Sequence, residues 1–337
     1  MNPSQLENLL GTLIKKHLLQ SVMIWGAPGI GKSHTVAAVA QAAKIDLIDL
    51  RISQLAPTDL RGLPVADHES RTSRWYPPEF LPRSGSGILF LDELNMAPPA
   101  IQGIAQQLVL DRKVGSYSLP EGWHVWAAGN RSEDGASVFS MPSALQNRFI
   151  HVTVLPHFES FRSWALQNGI DEKIVAFLAW RPELLHKRDP KNPAWPSPRA
   201  WTAANALHLA GLPMDPAIGD APAGEFRAYL KVYDTLPDFD SILAGKAKDT
   251  PFPAEPSARY AASLGLAIRA KSADSVKSAL DWITTKADPE WIQLFLHAKL
   301  DTARADNTFG VLATHLAANP KIKKFLDSYR KLLGNNF

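Results

Sequence analysis

Cysteine is absent from the 337 residues. Disulfides, thiolate-held zinc and iron–sulfur clusters are therefore excluded, and a reducing compartment is compatible. Also missing is any apolar run near the ~20 residues needed to span a bilayer. Glu7 interrupts the first apolar pattern, so the amino terminus does not read as a signal peptide, and the expected location is cytoplasmic with no membrane span. Charge of one sign is scarce as well: 36 Lys and Arg against 33 Asp and Glu leave a formal +3, too little by itself to indicate nucleic acid. What remains is an ordinary chain, 45% apolar, long enough for about two domains and able to bury a sizeable core.

The sequence is organised around Gly26-Ala27-Pro28-Gly29-Ile30-Gly31-Lys32-Ser33, which fits GxxxxGK(S/T). It follows the apolar run Val22–Trp25 and opens a helical pattern from Thr35 to Ala43, as strand, phosphate loop and helix require. Each residue type has a reason. Glycines let backbone N–H groups curl around phosphate oxygens, and the following helix, entered through His34, points its positive end at them. Lys32 supplies a cation to the terminal phosphates, and Ser33 a hydroxyl to Mg²⁺. The nucleotide-holding set is thus Gly26, Ala27, Pro28, Gly29, Ile30, Gly31, Lys32, Ser33 and His34.

A first amphipathic helix, with Ser4 to Glu7 as capping box, precedes that loop. Ile45–Leu50 reads as a second strand and Ile88–Leu91 as a third, the latter running into Asp92-Glu93. Strands alternating with helices imply a mostly parallel sheet covered on both faces. A strand ending in two carboxylates places both at the carboxyl edge, where open α/β sheets bind ligands. Asp92 would hold Mg²⁺ with Ser33, and Glu93 would polarise the attacking water. Leu63 to Arg83, rich in proline and aromatics, is long for a connection and is either a functional insert or a flexible excursion. Pro98 to Val114 reads as helix and Gly115 to Gly122 as a hairpin. A fourth strand, Trp123–Ala128, delivers Asn130 to the same edge, either to orient the attacking water or merely to form a turn. Ser143–Phe149 is a short helical turn ahead of a fifth strand, Ile150–Val154.

With these motifs in order, the chain resembles AAA+ ATPases of the MoxR-like, midasin- and dynein-related branch, over roughly Gln20 to Leu209. GAPGIGKS matches Walker A, ILFLDELN Walker B, WAAGN with Asn130 sensor 1, ALQNRF the arginine-finger segment with Arg148, and SPRAW sensor 2 with Arg199. The resemblance implies a P-loop core with a parallel five-stranded sheet at 1–156, carrying a helix-2 insert at 63–83 and a pre-sensor-1 hairpin at 115–122. It further implies a helical lid at 157–212 and a helical extension at 213–337. By the same resemblance, Glu93, Asn130, Arg148 and Arg199 form the catalytic group, with ATP and Mg²⁺ as cofactors and Ser33 and Asp92 as metal ligands. Arg148 would act across a subunit boundary, in a homo-oligomeric ring that is most often hexameric, with a von Willebrand A domain protein as partner and a protein client.

Past the fifth strand the pattern is helical: Phe161–Leu166, Ile174–Leu185, Ala200–Leu209, then Tyr260–Ile268, Ser275–Ile283 and Trp291–Leu300. The loop Asp189–Pro198 leads to Arg199. A terminal helix aligns Ile322, Phe325, Leu326, Tyr329, Leu332 and Leu333, with lysines around it that read as solvated rather than as a docking surface. The leading expectation is an ATP-hydrolysing, chaperone-type remodelling ring. A nucleic-acid motor is the alternative, with Arg71, Arg74, Trp75 and Tyr76 offering cations and stacking platforms, though no dedicated DNA-binding motif appears. A non-hydrolysing nucleotide-gated scaffold is the third; the complete set Lys32, Asp92, Glu93, Asn130 and Arg148 argues against it.

Overall fold

The computed structural model describes residues 1–134, 138–233 and 235–303, together with Gly310 and Thr314, and divides into two compact units, Met1–His157 and Phe158–Phe337. The first unit opens with α1 (Pro3–Lys15), β1 (Ser21–Trp25), α2 (Lys32–Ala43) and β2 (Asp46–Arg51). There follow α3 (Pro57–Arg61), the strands β3 (Leu63–Asp67) and β4 (Thr72–Tyr76), β5 (Gly87–Asp92) and α4 (Pro99–Asp111). It closes with β6 (Lys113–Val114), β7 (Tyr117–Ser118), β8 (Trp123–Gly129), α5 (Ser143–Gln146) and β9 (Phe149–Thr153).

Five strands form one parallel sheet in the order β2-β5-β8-β1-β9. The central strands are near-continuous apolar runs because both faces are covered. Their side chains alternate accordingly. Val22, Ile24, Ile88, Phe90, Trp126 and Ala128 pack with Leu6, Leu10, Val36 and Val39 of α1 and α2. Met23, Leu89, Leu91, Val125 and Ala127 pack with Ile101, Ala105 and Leu108 of α4 and Leu145 of α5. The expected α/β core with helices on both faces is the observed one.

Three local details differ from the sequence expectation. The first helix is capped by Asn2, not Ser4: the Asn2 side chain accepts from Gln5 N at 2.8 Å, and the Gln5 side chain accepts from Asn2 N at 2.9 Å. Pro3 fits the first helical position, where its missing N–H costs nothing, and so moves the start two residues earlier. The helix expected to reach Val114 stops at Asp111, because Arg112 turns left-handed at φ 54°. Its guanidinium donates to Pro120 O at 2.8 Å and Trp123 O at 2.7 Å. That releases Lys113–Val114 to pair with Tyr117–Ser118, so the hairpin spans 113–118 instead of 115–122. Finally, Leu63–Arg83 contains an ordered antiparallel hairpin, with Leu63 opposite Tyr76 and Val65 opposite Arg74.

The second unit is helical among the described residues: α6 (Phe158–Gln167), α7 (Glu172–Trp180), α8 (Pro198–Leu209), α9 (Asp215–Ile218) and α10 (Asp220–Tyr233). Next come α11 (Phe239–Leu243), α12 (Pro256–Arg269), α13 (Ala273–Lys286) and α14 (Pro289–Ala303). The helix expected over Ile174–Leu185 is interrupted after Trp180, where Pro182 opens a separate 3₁₀ turn. One apolar cluster runs from Phe161 to Ala303, so the segments either side of residue 212 share a core. Within it Lys299 is fully buried, and its ammonium donates to Ala270 O at 2.7 Å at the carboxyl end of α12. A cation is favoured there by the unpaired carbonyls and the helix dipole. The terminal helix expected over 322–333 lies outside the described residues. No helix among the described residues is long and apolar enough to cross a membrane.

Candidate nucleotide site

β1 ends at Trp25, and the loop Gly26–Gly31 turns into α2. Gly31, at φ 95°, caps that helix in the left-handed region, where a side chain is strained and glycine is not. Gly26 N donates to Gly129 O at 3.3 Å, tying the loop to the end of β8. Ala27 and Ile30 are buried, while Pro28 and Gly29 are partly exposed and His34 sits exposed on the first turn of α2. Lys32 reaches back over the loop. Its Nζ donates to Gly26 O at 2.6 Å, Ala27 O at 3.1 Å and Asn130 Oδ1 at 3.0 Å.

Ser33 Oγ donates to Asp92 Oδ2 at 2.6 Å, which joins the loop to the end of β5. Thus two hydrogen-bonded pairs, Lys32–Asn130 and Ser33–Asp92, join the first turn of α2 to the ends of β8 and β5. Partial burial and the charges of Asp92 and Glu93 push the Asp49 carboxyl on β2 upward, against the pull of Arg51.

Glu93 follows with φ 58° and ψ 32°, a left-handed conformation that costs a non-glycine residue about 1 kcal/mol or more. Its N–H donates to Asp92 Oδ1 at 2.8 Å, and its carboxylate accepts from the Ser53 hydroxyl. Ser53 lies in the 3₁₀ turn after β2 and carries no motif that would have identified it.

Asn95 was equally hidden. It is buried, its amide donates to Asn130 O at 2.7 Å, and its carbonyl accepts from Asn130 N at 3.1 Å. A Cβ on Gly129 would come within 2.5 Å of that same Asn95 oxygen, so the glycine permits the approach. Two paired backbone groups thereby fix where Asn130 points. Replacing Asn95 with alanine strands both and should lower stability by about 1–3 kcal/mol, a lower midpoint in urea unfolding. An unchanged midpoint would refute the bracing role.

Arg148 follows α5, exposed, and among the described residues no side-chain partner engages its guanidinium. Arg199 lies in the second unit, exposed on the first turn of α8, whose amino end is capped by Ser197 Oγ accepting from Ala200 N at 3.1 Å. Of the residues weighed for nucleic acid, Arg74 pairs with Asp67 at 2.7 Å. Trp75 lies under the Arg61 guanidinium at 5.4 Å, and its carbonyl accepts from Ser116 Oγ at 2.9 Å. Arg74 nevertheless stays largely exposed.

Residues 21–151 match the family described as ATPase family associated with various cellular activities (AAA). Residues 21–151 therefore carry an AAA-type ATPase module, which is similar in sequence to parts of two midasins. The chain is 25% identical over 175 residues to Midasin of Giardia intestinalis, covering 49% of this chain and 4% of that protein. It is 28% identical over 167 residues to Midasin of Dictyostelium discoideum, covering 45% of this chain and 3% of that one. Among solved structures, a RuvB mutant of Thermotoga maritima is 16% identical, covering 78% of this chain and 81% of that chain at a TM-score of 0.41. The AAA+ match contains the loop, Asp92, Glu93, Asn130 and Arg148; Arg199 falls outside it.

Proposed function

We propose that the AAA+ module binds ATP with Mg²⁺ and hydrolyses it in a cytoplasmic homo-oligomeric ring of hexameric type. The ring remodels a protein client in the manner of MoxR-like chaperones, with a von Willebrand A domain protein as partner. The observation that carries the reading is the Ser33–Asp92 contact of 2.6 Å beside the Lys32–Asn130 contact of 3.0 Å. A hydroxyl and a carboxylate side by side are hard oxygen donors of the kind Mg²⁺ prefers, the remaining positions being taken by water and phosphate oxygens. Among the described residues no group of three or more His, Cys, Asp and Glu forms a cage for a metal, which suits an ion arriving with the nucleotide. The bound ion would neutralise phosphate charge.

The remaining roles belong to the chain itself. Loop N–H groups hold the phosphates, Lys32 meets the terminal ones, Glu93 takes the proton of the attacking water, and Asn130 orients that water. Arg148 is exposed and, among the described residues, uncommitted, which suits a group meant for a neighbour's phosphates. Arg199 is proposed as a further phosphate sensor carried by a lid at 157–212.

An intersubunit arginine makes turnover depend on assembly. ATP hydrolysed per chain should therefore rise with protein concentration, in parallel with the mass of the ring measured by light scattering. A specific activity flat across the range in which the mass changes would defeat the ring reading.

A further inference from the structure

Trp25, the residue immediately before the phosphate loop, is hydrogen-bonded to the helix that precedes Arg148 through a single imidazole. Trp25 Nε1 lies 2.9 Å from His151 Nδ1, and His151 Nε2 lies 2.8 Å from Gln146 O. The direction of both bonds follows from chemistry. An indole N–H can only donate, so Nδ1 must accept; Nε2 then carries the proton and donates to the carbonyl. Gln146 is the last residue of α5, and its carbonyl is one of those the helix leaves unpaired. Asn147 and Arg148 follow directly.

His151 itself is exposed, and its neighbours brace the two ends of the link. Register sets Met23 of β1 opposite His151 of β9, so Trp25 and His151 share the face that packs on α5. The Trp25 carbonyl accepts from Val154 N at 2.8 Å. Phe149 meets the imidazole edge-on at 6.3 Å. The Gln146 amide donates to Met141 O at 2.7 Å, bracing the other side of the helix.

We infer that His151 is a positioning residue that ties the phosphate-loop strand of one subunit to the placement of the arginine it presents to the next. This rests on the reading of Arg148 as an intersubunit group. A shift of the loop on nucleotide binding or release moves Trp25, and the imidazole passes that shift to α5 and so to the neighbour's pocket. Consecutive pockets are thereby coupled with no nucleotide contact by His151 itself.

Mixed rings test it. Chains carrying Arg148→Ala keep an intact pocket, and chains carrying Glu93→Gln keep an intact arginine; equal amounts together should hydrolyse ATP where each alone does not. Adding His151→Ala to the Glu93→Gln chain should cut the restored rate about ten- to a hundredfold, the scale expected when a reacting group is misplaced by about 1 Å. Adding it to the Arg148→Ala chain should change the rate less than about twofold, because that chain supplies only its pocket. His151→Gln on the Glu93→Gln chain should recover part of the loss, since its amide can still donate to the Gln146 carbonyl. Equal losses from either placement would mean general support of the fold and would overturn the inference, as would no loss from either. If the parent mixture restores nothing, the intersubunit reading beneath it falls, and the inference with it.

Discussion

Glu93→Gln is expected to retain ATP and hydrolyse it about a hundred- to ten-thousandfold more slowly, the range that a positioned proton acceptor contributes. The exchange is unusually clean at this position. A glutamine side chain can still accept from the Ser53 hydroxyl, and the backbone N–H to Asp92 Oδ1, at 2.8 Å, is untouched. The left-handed backbone at φ 58° is the same problem for either residue. Only the charge, and with it the proton-accepting capacity, is removed. Single-turnover hydrolysis of labelled ATP, with the bound nucleotide identified after gel filtration, separates binding from cleavage. Cleavage within about threefold of the parent would remove Glu93 from the chemistry.

Arg148→Ala should lower turnover about a thousandfold or more while leaving ATP affinity near the parent value, because in the proposed role the guanidinium stabilises charge that develops only during transfer. Its side chain is exposed and, among the described residues, unpartnered, so stability should move by less than about 0.5 kcal/mol. Arg148→Lys should not restore the rate, since an ammonium lacks the planar fork that grips two phosphate oxygens. The residual activity should also lose its dependence on protein concentration. If Arg148→Ala turns over normally in assembled rings, no finger resides at this position. Together the two substitutions would separate the part of the proposed site supplied by one chain from the part supplied by its neighbour.

Much of this candidate site could be read from one-dimensional information. The phosphate loop declares itself because close backbone approach demands glycines and the cation and hydroxyl must follow at fixed spacing. The strands carrying Asp92 and Asn130 declare themselves because a buried parallel strand is continuously apolar. Other parts could not be read. Ser53 and Asn95 act through contacts between segments distant in sequence, and neither serine nor asparagine is unusual in a turn. The hairpin Leu63–Tyr76 is largely exposed, leaving no alternation between buried and solvated positions to reveal it. The early end of α4 is decided by where the Arg112 guanidinium finds carbonyls, a tertiary fact.

The backbone of Glu93 has a consequence for how this protein can change. A glycine or asparagine would occupy that left-handed position with less torsional conflict, so enrichment of variants by heat resistance alone would favour residues that cannot take a proton from water. If Glu93 is the proposed proton acceptor, proteins recovered from such a screen would be sturdier and inert, and a lineage keeping turnover would have to carry the conformational burden at this one residue.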